Sequence, residues 1–306
     1  MSGFSNDRSS GSSAVAEQFL TALERWLGQD RSPSAPALRD ALFPWLRGAQ
    51  AGQPSMALVH QMAARALAVA ESGAALPDSP LDLRESLLRS CDAERADLAE
   101  ATRKAARIAV ELVPESDAFI ATLSHSGAVF EALRQLHATG RRPRVLLAES
   151  RPGLEGREMA ARLAALGIPV WLVADGALAM LLQSATAVWI GADAVTEHGV
   201  LNKVGSYVTA LAAREHGVPV HAIAVRKKLI PAGTASLSIS EMPAAELWDA
   251  PPDNVRPRNV YFEMVPHALL RGVVVEDGVL GASEAGIAAR DRELPPSLAA
   301  ALPRQD

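Results

Sequence analysis

The chain is poor in cysteine and in aromatic residues. Its 306 residues include a single cysteine, Cys91. That excludes an internal disulfide framework and any zinc site built on several thiolates. It fits a reducing compartment, and a cytoplasmic protein is expected. Aromatic residues make up 4% of the chain against 49% hydrophobic residues, so the core has to be built mainly from Ala, Leu and Val. A basic excess is also missing: 30 Lys and Arg face 35 Asp and Glu, for a net charge of -5. This excludes a general electrostatic nucleic-acid binder but leaves room for a local basic pocket that takes one phosphate. No uninterrupted apolar run approaches about 18 residues, and no apolar signal core follows basic residues at the N-terminus, so no membrane partner is expected. The spacings GxGxxG, GxxxxGK[ST], HExxH and paired Cys do not occur. Neither a dinucleotide, a nucleoside triphosphate held in that way, a metal nor any other cofactor is expected.

Residues 1–14 are polar and rich in Ser and Gly, which predicts a disordered N-terminus. The next hundred residues read as helices. Val15 to Leu27 places Phe19, Leu20, Leu23 and Leu27 on one helical face. Ala37 to Trp45 continues the pattern, with Pro44 expected to limit or kink it. Met56 to Ala70 follows, and then one long helix, or two nearly collinear ones, between Ser79 and Val113. Cys91 lies inside that stretch, where a small packing residue is the expected role. At Pro114 the period changes. Short buried runs at Ala118–Leu123, Arg144–Ala148, Val170–Ala174, Ala187–Gly191 and Val220–Val225 alternate with helical stretches. This is the pattern of a parallel sheet flanked by helices. The expected fold class is α/β. A helical N-terminal domain (15–114) precedes a parallel-sheet domain (115–306). Within the latter, Ala232 to Arg258 reads as a long loop, and a last strand at Gly272–Glu276 leads into a polar tail.

In such sheets, ligands bind outside the carboxyl ends of the strands. Those ends carry Ser124-His125-Ser126-Gly127, Glu149-Ser150-Arg151-Pro152, Asp175, Gly191-Ala192-Asp193 and Arg226-Lys227-Lys228, with Asn202-Lys203 ahead of a glycine-containing helix start. Each alone has an ordinary structural explanation. Ser126 and Gly127 suit a helix cap, Arg151 can pair with Glu149 or Asp175, Asp193 can cap a turn, and Lys203 can be a solvated lysine. Their convergence on one rim points to a site. Asn202, Lys203 and Arg151 suit an anion such as a phosphate. Asp193 suits sugar hydroxyls or proton transfer. A Ser/His/Asp triad can be drawn from Ser124, His125 and Asp193, although no GxSxG elbow supports it.

The stretches Glu149-Ser150-Arg151-Pro152-Gly153-Leu154-Glu155-Gly156, Gly191-Ala192-Asp193-Ala194-Val195 and Asn202-Lys203-Val204-Gly205-Ser206-Tyr207, followed by Phe262-Glu263-Met264-Val265-Pro266, occur in this order. They resemble a family that contains the alpha, beta and delta subunits of translation initiation factor 2B, methylthioribose-1-phosphate isomerase and ribose-1,5-bisphosphate isomerase. The resemblance implies a Rossmann-like C-terminal domain, a homodimer, and a pocket for a phosphorylated sugar or a nucleotide-like metabolite. It implies binding roles for Arg151, Asn202, Lys203 and Gly127, and a catalytic role for Asp193. Ser124 stands where the isomerases carry a catalytic cysteine. A serine hydroxyl needs an adjacent base to carry a proton, which His125 would have to supply. Gln53, ahead of Pro54-Ser55, stands where the isomerases have a phosphate-binding arginine. Three readings follow: a sugar-phosphate aldose–ketose isomerase-like enzyme, a non-catalytic regulatory relative that binds a metabolite or a protein, and a different reaction on the same scaffold.

Overall fold

The computed structural model describes residues 11–72, 79–114, 118–232 and 241–292. Four helices come first: α1 (Ser12–Gln29), α2 (Ala35–Gly52), α3 (Ala57–Ser72) and α4 (Pro80–Glu111). They bury one another through Phe19, Leu23, Leu27, Leu38, Leu42, Trp45, Leu58 and Met62. Pro44 does not end α2, which runs on to Gly52. Leu38, Leu42, Trp45, Leu46 and Ala49 form a continuous buried face across the proline, and this packing outweighs the one hydrogen bond a proline removes. α4 is a single helix of 32 residues, about 48 Å long at the α-helical rise. Ser79 caps its N-terminus by accepting from the Asp82 amide, and Pro80 fills the first turn. Its first half (Leu83, Leu87, Cys91) packs in the helical core. Its second half (Ala105, Ala106, Ala109) packs on the sheet. Burial and the carboxylates around it push the Cys91 thiol up to about 12, so this cysteine is inert packing.

The rest of the chain alternates strand and helix: β1 (Phe119–Leu123), α5 (Gly127–Ala138), β2 (Arg144–Ala148), α6 (Glu155–Ala165), β3 (Val170–Val173), α7 (Asp175–Leu181) and β4 (Ala187–Ile190). β5 (Ala194–Thr196), β6 (Gly199–Lys203), α8 (Ser206–Glu215) and β7 (Val220–Ile223) follow, then β8 (Phe262–Val265), β9 (Gly272–Val275), β10 (Gly278–Leu280) and α9 (Ala282–Arg290). The main sheet has the order β10-β9-β7-β4-β1-β2-β3. All its pairs are parallel except the β9–β10 hairpin. β1 and β4 are fully buried, as strands covered on both faces must be. A smaller antiparallel sheet, β5-β6-β8, lies beyond β4. The chain is thus mixed α/β with a mostly parallel sheet behind a helical region, as the alternation predicts.

The chain order turns at β1, because β2 and β3 extend the sheet on one side while β4, β7 and β9 extend it on the other. That switch point, between the ends of β1 and β4, is where an open α/β sheet offers a crevice. Three expectations differ in detail. Of the residues expected to be disordered, 1–10 lie outside the described residues, whereas Ser12, Ser13 and Ala14 form the first turn of α1. Part of the expected long loop, 233–240, lies outside them as well. The polar tail begins later than expected, because β10 and α9 follow β9 and α9 buries only Ala285 and Ala289. No helix among the described residues is long and apolar enough to cross a membrane.

Candidate functional site

At the switch point lies a cleft with about 500 Å³ of empty space, part of it open to solvent. Its walls are Ser124–Gly127 after β1, Gly191–Asp193 after β4, Asn202 and Lys203 at the end of β6, Glu155 at the start of α6, and Lys228. Gly11, Ser12 and Ser13 close one side. The β1–α5 turn is tightly held. Ser124 has φ 59°, a left-handed conformation uncommon outside glycine. Its amide donates to Ser150 Oγ at 2.7 Å. Ser126 caps α5 by accepting from the Val129 amide, which leaves the first-turn N–H of Gly127 beside the cleft. Gly191 is required here: a Cβ at this position would lie 2.7 Å from Ser126 Oγ.

Asp193 is 7% exposed and Lys228 3% exposed. Lys228 is carried by a single 3₁₀ turn (Arg226–Lys228) after β7, and its ammonium donates to the Ala192 carbonyl at 2.5 Å. Burial pushes the Asp193 carboxyl up to about 6, against the pull of Lys228, the Ser12 hydroxyl and Lys203. Burial pushes Lys228 down to about 8, against the pull of Asp193. The two groups therefore approach neutrality from opposite sides on one wall of the cleft. The main chain braces them: the Ala57 amide at the start of α3 donates to the Asp193 carbonyl at 3.2 Å.

Asn202 and Lys203 also reach the cleft, but both are engaged. Asn202 donates to Ser206 Oγ at 2.8 Å. Lys203 Nζ is 2.7 Å from Glu155 Oε1 and 3.9 Å from the centre of the Tyr261 ring.

Two predicted residues take other roles. The side chain of Arg151 is exposed and does not line the cleft. Asp175 accepts from the Ser150 and Arg151 amides at 2.7 and 2.8 Å, which fixes the loop with the guanidinium outside. His125 lines the cleft, but its ring nitrogens face α6. Nε2 lies 2.5 Å from Arg162 Nη1, and Nδ1 lies 3.4 Å from Glu158. A guanidinium only donates, so Nε2 accepts and Nδ1 carries the hydrogen. Burial and Arg162 lower the imidazole pKa despite Glu158. Both ring nitrogens are thus engaged by side chains of α6. Gln53 is buried at the C-cap of α2 and is not among the cleft residues. Glu155, Lys228 and Ser12 were not singled out as site residues from the sequence. Among the described residues, no group of three or more His, Cys, Asp or Glu is placed to hold a metal.

The model of the initiation factor 2 subunit family matches residues 8–282. The chain belongs to this family. Within it, a translation initiation factor eIF-2B subunit 2-like protein of Pyrococcus horikoshii is 31% identical over 267 residues, covering 87% of each chain. A methylthioribose-1-phosphate isomerase of Cronobacter sakazakii is 32% identical over 169 residues, half the length of each chain. Among solved structures, the P. horikoshii translation initiation factor eIF-2B superposes with a TM-score of 0.75 at 26% identity, over 90% of this chain and 93% of that one. The family thus brings together factor subunits and sugar-phosphate isomerases, and the cleft geometry bears on which of the two this member resembles.

Proposed function

We propose that the protein binds a phosphorylated aldose in the switch-point cleft and interconverts it with the ketose, Asp193 and Lys228 carrying the proton transfer. The supporting observation is the buried Asp193–Lys228 pair, with pKa values of about 6 and about 8. Two titratable groups driven apart around neutrality on one cleft wall form an acid–base set. At pH 7 the Lys228 ammonium gives a proton to the ring oxygen as the bond between C1 and that oxygen breaks, and the Asp193 carboxylate takes the proton from C2. The electron pair from the C2–H bond forms the C1–C2 double bond of an enol that keeps the phosphate on the C1 oxygen. Return of the proton from Asp193 to C1, with loss of the C2 hydroxyl proton to the Lys228 amine, gives the open-chain ketose 1-phosphate and restores both groups. The phosphate sits against Asn202, Lys203 and the first-turn N–H groups of α5 and α1, where helix N-termini favour anions.

Proton NMR in deuterated water, with ribose 1,5-bisphosphate and methylthioribose 1-phosphate, tests this. Deuterium should enter at the carbon beside the carbonyl as ketose appears. With both His125 nitrogens engaged by α6, Ser124→Ala should keep the rate within about tenfold, below what general acid–base groups contribute. A thousandfold loss in Ser124→Ala would make Ser124 the proton carrier instead. The second reading, a metabolite-binding regulatory subunit, is favoured by the engagement of both His125 nitrogens with α6 and by the match to the subunit 2-like relative over 87% of each chain. Binding of a sugar phosphate with neither turnover nor exchange would select it.

We also propose a homodimer. Met180 on α7 is 67% exposed, and Val208 at the start of α8 is 54% exposed, with α7 and α8 in contact. Large apolar side chains left exposed on two touching helices are the basis for an association surface. Sedimentation should give twice 32.2 kDa, and Met180→Lys with Val208→Glu should give a folded monomer. A wild type that sediments as one chain at micromolar concentration excludes the dimer.

A further inference from the structure

The charged groups of the cleft cancel. Asp193 and Lys228 line the cleft together with the ion pair of Glu155 and Lys203, so two carboxylates and two ammonium groups share one small space. The Glu155–Lys203 pair is closed to water, with side-chain exposures of 6% and 5%. A phosphate entering the cleft therefore finds its cation already covered by a carboxylate. Sharing Lys203 would press two anions together in a dry pocket, where like charges repel strongly.

Three observations show that the loop is arranged around this carboxylate, yet leaves it incompletely satisfied. Gly153 makes room for it, since a Cβ there would lie 2.6 Å from Glu155 Oε1. The other oxygen, Oε2, is buried with no hydrogen-bond partner, a costly arrangement for a carboxylate. Glu155 is also the first residue of α6, where the helix N-terminus favours negative charge even if the contact with Lys203 is lost.

We infer that Glu155 is an internal counter-anion occupying the position on Lys203 that a ligand phosphate takes, so that binding exchanges one anion for the other and Glu155 sets the affinity for phosphorylated ligands. This rests on the reading of the cleft as a phosphate-ligand site. It adds a residue that restrains binding, whereas a purely structural ion pair between α6 and β6 would only stabilise the fold.

Calorimetry with ribose 5-phosphate, inorganic phosphate and ribose tests it on the full chain. Glu155→Gln keeps the size and a hydrogen-bond acceptor for Lys203 but removes the charge. It should bind both phosphate probes about tenfold or more tightly than the wild type, the scale of one charge-assisted hydrogen bond. Its affinity for ribose should not change. In a Lys203→Met background the gain should vanish. A wild type that binds neither phosphate probe while Glu155→Gln binds both also supports the inference.

Unchanged or weaker binding by Glu155→Gln, with Lys203→Met weaker than the wild type, overturns the counter-anion role and leaves the phosphate site standing. Binding that is indifferent to Lys203→Met, or no binding of either phosphate probe by any variant, overturns the phosphate site and the inference together. Melting curves establish folding, and Glu155→Asp, which shortens the arm and keeps the charge, substitutes if the Gln variant does not fold. Its affinity for the phosphate probes should rise above that of the wild type, and no rise overturns the inference.

Discussion

With an aldose phosphate as substrate, kcat/KM should rise as pH increases through about 6 and fall beyond about 8, and Asp193→Asn should lower it by about 10²–10⁴-fold. The sign follows from the roles. Asp193 acts as the carboxylate, so activity is lost as pH falls through its folded pKa of about 6. Lys228 acts as the ammonium, so activity is lost as pH rises through about 8. The two limbs belong to the pair, because each group titrates in the field of the other. In Asp193→Asn the residual rate should lose its acidic limb. In Lys228→Met the carboxylate stays buried without the neighbour that lowers its pKa, so the acidic limb should move to higher pH. Asp193 also touches the main chain of α3 and the Ser12 hydroxyl. A thermal melt of Asp193→Asn within a few degrees of the wild type is therefore needed to read the loss as chemistry. A flat profile from about pH 5 to about pH 9, or full activity in Asp193→Asn, removes the pair from the mechanism.

Strands buried on both faces were the most legible elements. β2 coincides with the run Arg144–Ala148, and β1 and β4 each lie within one residue of a predicted run. A parallel strand covered by helices has no polar face, so it reads as an unbroken apolar segment. The smaller sheet was not legible. β5 has three residues, too few for a period, and β8 pairs with β6 across more than fifty residues of intervening chain. The first turn of α1 was missed because Ser12 and Ser13 look like linker residues. Ser12 is nonetheless buried against the Ala192 carbonyl and the Asp193 carboxylate, a contact 180 residues away.

The site was legible as a rim and less so as a set of roles. Topology brings Ser124–Gly127, Asp193, Asn202 and Lys203 to one cleft, as the strand-end rule predicts. Composition could not rank the three cations after β7. A 3₁₀ turn sends successive side chains in three directions. Arg226 goes to Asp277, Lys227 to Glu94 and Asp97, and only Lys228 goes to the cleft. Arg151 shows the converse. It stands in the motif, but Asp175 holds its main chain while its side chain faces solvent. Glu155 stands in the same motif, and its pairing with Lys203 is visible only where α6 and the end of β6 meet.

Gly156→Ala should destabilise the protein by about 3 kcal/mol, the upper part of the range for overpacking, whereas Gly176→Ala should leave stability unchanged or raise it by up to about 1 kcal/mol. The two glycines are the second residues of α6 and α7, in successive strand-to-helix units. Their surroundings differ. A Cβ on Gly156 would lie 2.0 Å from the Ala148 carbonyl oxygen and 3.0 Å from two backbone carbons at the end of β2. None of these atoms belongs to a flexible side chain, so α6 would have to lift off the strand by about an ångström and strain the packing between them. A Cβ on Gly176 would meet nothing within 4 Å. There alanine only removes freedom from the unfolded chain and improves helix propensity. The melting temperature of Gly156→Ala should drop by roughly 6–12 °C, at 2–4 °C per kcal/mol for a chain of this size, and Gly176→Ala should match or exceed the wild type. Gly156 follows Glu155 directly. The same displacement should therefore pull the carboxylate from Lys203 and weaken binding of sugar phosphates in whatever fraction remains folded. Equal shifts in the two alanine variants would mean that the close contact between α6 and β2 is relieved at no cost, and that backbone freedom alone sets the value of both positions.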